Sequence, residues 1–276
     1  MRENLESQVF DHITIDQAYT QAKRTFAGDA IKPERFADLY GPENVARDIA
    51  YVEEKERAFE RSDSPEQKEA KKLATIFEAI IHEHAELSEW FGPDATTIKP
   101  SRYDDIRNGV DSIVEFQESP ASASYLALAI DATFSPDTEA KFARIREEID
   151  RGELTKVKYF ASEHLNVRGE LAKIPHVVVG ADAKTIRELA ELWLEKKHRA
   201  LGNHPVQFQI LEETINQLDM FERYATRVKQ FEVAAIYGKT KKILERIYEE
   251  KLVTIEDTGE RDEVFYAIQA GARNFG

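Results

Sequence analysis

Apolar residues recur at helical spacing through the first 90 or so positions, as in Ile15, Ala18, Tyr19, Ala22 and Phe26, with breaks at Gly28, Pro33, Gly41 and Pro42. Ser62, Asp63, Ser64 and Pro65 interrupt a highly charged helix and start the next, which the pattern carries over 65–91 until Gly92 and Pro93 end it. The periodicity then shortens. Residues 109–116 and 125–134 are β-favouring runs bounded by turn residues, and the second is apolar almost throughout, as a strand covered on both faces is. Helical spacing returns over 136–152, two further strands are predicted at 156–160 and 174–180, and the strand, helix, strand order implies a parallel pairing. Beyond Gly180 the chain reads as helical over 183–201, 206–236 and after Gly238, and two short segments near 251–256 and 263–268 fit either a hairpin or a last helix.

The pattern predicts an α/β fold: a small mixed sheet of four to five strands with a helical N-terminal region and long C-terminal helices. It divides as a helical elaboration at 1–65, an α/β core at 66–182 and a helical region packed on the core at 183–276. The 276 residues carry 38 Lys and Arg against 52 Asp and Glu, a net charge of −14, which argues against nucleic acid as a bulk partner but leaves room for a local groove. No apolar run reaches a membrane span and no secretory leader is legible, so a cytoplasmic protein without a membrane partner is expected. With no cysteine, thiolate nucleophiles and cysteine-based metal sites are excluded, and any metal must be held by carboxylate or imidazole. Phosphate loops, dinucleotide turns, nucleophile elbows and the His-Glu-x-x-His motif are absent from the sequence.

The informative residues are acids inside the core. Glu78 lies within the 65–91 helix, Asp111 at the start of the first strand, Glu115 four residues further on, and Asp131 in the apolar run of the second. An ionised carboxylate among apolar neighbours needs a partner, so Asp131 carries the strongest signal. Lys156 and Lys158 share one face of a strand expected beside it. Glu78 and His82 share a helix face and read as a surface pair, while Asp104 and Asp105 read as loop residues. His164, His176 and His198 fall into no usable arrangement.

A helix with Glu78, a strand with Asp111, a strand with Asp131, a helix and a strand, in that order, resembles the core of the PD-(D/E)xK nuclease superfamily over roughly 70–180. The stretch from Tyr103 through Asn108, Gly109 and Asp111 to Glu115 also looks like uncharacterised bacterial proteins of that type. The resemblance implies a divalent-metal-dependent phosphodiester hydrolase in which Glu78, Asp111 and Asp131 bind Mg²⁺ or Mn²⁺, with Glu115 nearby and a lysine steadying the developing charge. No proline precedes Asp111, and the family's lysine position, two after the second strand acid, is Thr133, so Lys156 or Lys158 is expected to supply the ammonium. The alternative is a non-catalytic interaction or scaffold protein on the same fold. The apolar faces of the C-terminal helices serve either the core or a homodimer.

Overall fold

The structure, a computed structural model, describes residues 2–117, 125–162 and 167–276. His164 lies outside the described residues. Along the chain run α1 (Arg2–Asp29), a 3₁₀ turn (Pro33–Phe36), α2 (Ala37–Tyr40), α3 (Pro42–Ser62) and α4 (Pro65–Leu87), then β1 (Ala95–Ile98), α5 (Arg102–Asn108), β2 (Ser112–Gln117) and β3 (Tyr125–Thr133). They are followed by α6 (Glu139–Asp150), β4 (Thr155–Ser162), β5 (Val167–Ile174), β6 (His176–Gly180), α7 (Ala183–Leu194), α8 (His198–Gly202), α9 (Val206–Arg227), α10 (Phe231–Thr254) and α11 (Glu263–Arg273).

The starts of the core helices are written in their first residues. Ser64 caps α4 in a reciprocal pair with Gln67, and Pro65 occupies the first turn, where its missing N–H costs nothing. Ser101 accepts the backbone N–H of Asp104 at the start of α5, and Gly109 ends that helix in the left-handed region at φ +67°. A Cβ at Gly109 would meet only the end of the flexible Arg144 side chain, which can move aside, so it is the left-handed backbone that calls for glycine here.

The four-stranded sheet has the order β1-β2-β3-β6, antiparallel except for the parallel β3–β6 pair, which sets Asp131 opposite Val178. The mixed sheet with an interior Asp131 strand is as expected. The neighbour differs: β4 pairs with β5 in a separate two-stranded sheet, and β6 lies beside β3. That hairpin covers one sheet face, where Val157, Phe160 and Ile174 pack with Ile113, Ala127 and Ala129. On its outer side Tyr159 joins Phe36 and Val45 from the N-terminal segment. On the opposite sheet face lie α4 and the C-terminal helices, in one apolar cluster that runs from Ile15 through Val114, Ile130 and Val177 to Phe275.

Helix α9 also closes the exposed edge of β6. Gln217 accepts the Val178 N–H at 2.9 Å and donates to its carbonyl at 2.6 Å, Glu213 accepts the Gly180 N–H at 3.0 Å, and Gln209 donates to the Gly180 carbonyl at 2.8 Å. Three side chains spaced one helical turn apart replace a neighbouring strand. The apolar side of α9, with Leu211, Leu218 and Phe221 buried, is used by the core.

Several boundaries differ from the pattern. The segment 206–236 is two helices, broken where Lys229 takes φ +66°, and 183–201 is broken where Lys196 takes φ +55°. The short terminal segments are the end of α10 and the body of α11, both helical. β1, β5 and α5 were not anticipated, and Asp104 is a fully buried helix residue. Among the described residues no helix is long and apolar enough to cross a membrane.

Candidate functional site

Three of the expected acids meet through backbone elements that the sheet register fixes. Asp111 directly precedes β2; its N–H bonds to the Ile130 carbonyl at 2.8 Å, and its Oδ2 accepts the Ala132 N–H at 2.8 Å, so it is clasped to β3 on either side of Asp131. Glu78 reaches the same place from α4. Its Oε2 lies 3.3 Å from Lys99 Nζ, and that ammonium also donates to the Asp111 carbonyl at 2.8 Å. Asp105 on α5 stands 4.0 Å from the same ammonium and is held by Arg102 at 2.6 Å. Asp131 is only 6% exposed and is paired with Lys141 Nζ, which also donates to the Ala132 carbonyl at 3.1 Å.

The electrostatics follow from crowding. Burial pushes the Asp111 carboxyl well above the usual carboxylate range, and the like charges of Glu78, Asp131 and Asp105 push it further against the pull of Lys99. Glu78 is also raised, by burial first, with Lys99 opposing. Burial works to lower the Lys99 pKa, but Glu78, Asp105 and Asp111 outweigh it, so the lysine is held charged. His176, buried on β6, is pushed down to about 4 by burial despite the opposing charge of Asp131.

The remaining expected residues lie on other partners. Glu115, 3% exposed, takes Ser162 Oγ at 3.1 Å and Thr96 Oγ1 at 3.4 Å. It lines a cleft of about 540 Å³ with His82, Glu86, Thr97, Lys99 and Arg35. Lys156 is exposed on β4. Lys158 pairs with Asp48 on α3 and lies 5.1–5.6 Å from the ring centres of Tyr40, Tyr159 and Tyr103. Because β4 leaves the main sheet for the hairpin, neither lysine is carried to Asp131. His82 is no surface partner of Glu78: it is 8% exposed, with Nε2 3.4 Å from Asp29. Asp104 accepts the N–H groups of Lys158 and Tyr159 at 2.7 and 3.1 Å and so staples the hairpin to α5.

Two residues missed by the sequence reading complete the cluster. Lys141 sits in the first turn of α6, where the helix dipole disfavours a cation, and that misplacement was a legible sign of an acidic partner. Lys99 gave no such sign. It follows a strand of four residues, too short for a periodic pattern. Among the described residues no three His, Asp or Glu side chains form a ready metal cage. What the cluster does provide is two adjoining strand acids, Asp111 and Asp131, with a carbonyl and a lysine beside them. Mg²⁺ keeps several waters and usually takes only one or two carboxylates plus substrate phosphate, and here Asp131 is already engaged by Lys141 and Asp111 by the Ala132 N–H. Compared with protein-family models, curated proteins and solved structures, the chain matches none.

Proposed function

We propose that this chain is a divalent-cation-dependent phosphodiester hydrolase of the nuclease type, resembling the PD-(D/E)xK superfamily in its core. One observation carries the reading: Asp131 in the sheet meets Lys141 from α6, Glu78 from α4 meets Lys99 beside Asp111, and Asp111 is retained there against the charges of Glu78 and Asp131. Keeping like charges buried together opposes folding, and such groupings concentrate where charge is used in chemistry. The order of α4, β1, β2, β3, α6 and β6 supports the same reading.

Asp111 and Asp131 would hold Mg²⁺ or Mn²⁺, and Glu78 adds its charge across Lys99. When bound, such a cation lowers the pKa of an attacking water and polarises the phosphoryl oxygens. The chain's own residues orient the rest. Lys141 supplies the ammonium expected from Lys156 or Lys158, and its contacts with Asp131 and the Ala132 carbonyl aim it at the strand end where a phosphoryl oxygen would gain charge. Water oxygen bonds to phosphorus, the phosphorus–oxygen bond to the leaving alcohol breaks, and the products are a phosphomonoester and an alcohol. In a cleavage assay on single- and double-stranded DNA and RNA, Mn²⁺ or Mg²⁺ should confer hydrolysis on wild type. Asp131→Asn should abolish it and Lys141→Ala reduce it by about 10²-fold or more. Full activity of Asp131→Asn would sink the proposal.

A second reading, a non-catalytic scaffold on the same fold, is favoured by Lys99, which already neutralises Glu78 from within the chain. It predicts no response to divalent cations in any variant.

A further inference from the structure

We propose that the open edge of β1 is a docking site for an extended acidic peptide, added parallel to the strand. β1 is an outer strand of the four-stranded sheet and pairs with β2 along one side only. On its other side two groups are already taken: the Thr97 N–H donates to Glu86 Oε1 at 2.7 Å, and the Lys99 carbonyl accepts the Ile31 N–H at 3.1 Å. In an extended chain the N–H and C=O of one residue point the same way, and alternate residues share a side. The Thr97 carbonyl and the Lys99 N–H therefore face that same edge, and neither has a partner among the described residues. The chain's own protection of its edge strand stops short at this one pair.

The spacing of the pair selects what can fill it. A parallel neighbour sets one residue opposite Ile98, with its N–H on the Thr97 carbonyl and its carbonyl on the Lys99 N–H. An antiparallel neighbour would need both groups of Thr97 or both of Lys99, and each of these residues has one group engaged. Room is present, because Thr96, Thr97, Ile98 and Lys99 line the cleft of about 540 Å³ together with residues 28–32. The acids of that cleft are committed within the chain: Glu86 to Thr97, Glu83 to Thr25 Oγ1 at 2.8 Å and Trp193 Nε1 at 2.7 Å, Asp29 to His82, and Glu115 to Ser162. Lys32 and Arg35 also line it, both exposed and without an ion pair among the described residues. A carboxylate on the incoming peptide complements these two cations. The inference needs no metal ion and stands apart from the hydrolase reading.

The test uses the full chain and a fluorescein-labelled peptide, Val-Glu-Val-Glu-Val with an amidated C-terminus, read by fluorescence anisotropy. Wild type should bind it with Kd below about 1 mM, and the matching Val-Lys-Val-Lys-Val peptide should bind at least about tenfold more weakly. The double variant Lys32→Glu with Arg35→Glu, two exposed changes that leave the core alone, should lose about tenfold in affinity for the acidic peptide. In protein carrying isotope-labelled lysine, saturating acidic peptide should slow hydrogen exchange of the Lys99 N–H by about tenfold or more, which a peptide held by charge alone would not do. Absence of binding at about 1 mM, equal affinity for the two peptides, unchanged affinity in the double variant, or unchanged Lys99 exchange in the complex would each overturn the inference.

Discussion

At the scale of single residues, Asp111 is the costliest group in the cluster and the clearest to test. Its folded pKa lies well above the unfolded value near 3.8, because burial and the neighbouring acids favour the protonated form. Between the unfolded and folded values the native state binds more protons, so stability falls as pH rises through that window, and above it the penalty is constant. Asparagine keeps an oxygen for the Ala132 N–H and removes the charge. Asp111→Asn should therefore stabilise the metal-free protein at neutral pH by roughly 1–2 kcal/mol, with the gain fading towards pH 4, as read from urea unfolding at several pH values. An Asp111→Asn protein less stable than wild type at pH 7 would contradict the charge-crowded description. Asp131 is paired by Lys141, and the same substitution there should give no such gain. Asp131 was legible because an acid interrupted an apolar strand, and Asp111 because it stood at the start of a strand in the order of the nuclease-like resemblance. Their cations were not: pairing partners 10 and 12 residues away depend on how the chain returns, which periodicity does not encode.

At the scale of elements, strongly patterned segments were readable and segments defined by tertiary contacts were not. The break at Ser62, Asp63, Ser64 and Pro65 announced α4, and the apolar run announced β3. The polar, mostly exposed β5 carried no alternation to find, and the break between α9 and α10 has neither glycine nor proline, only Lys229 in the left-handed region. The closure of β6 by α9 was hidden for the same reason, because Gln209, Glu213 and Gln217 look like an ordinary polar helix stripe until the strand edge is placed against them. Gln217→Ala would leave the buried N–H and carbonyl of Val178 without partners. It should destabilise the protein by about 2–4 kcal/mol in urea unfolding, more than a surface Gln→Ala change, which is within about 0.5 kcal/mol. A loss within that surface range would show that the edge closes by other means.

At the scale of the whole molecule, a net charge of −14 coexists with a buried acidic cluster to which the chain supplies Lys99 and Lys141. The most direct measurement is thermal melting of wild type and Asp131→Asn with and without Mn²⁺. At a concentration about 100 times Kd, Mn²⁺ should raise the wild-type midpoint by about 5 °C and leave Asp131→Asn unchanged. Equal shifts in both proteins, or none in wild type, would contradict a divalent-cation site at Asp111 and Asp131.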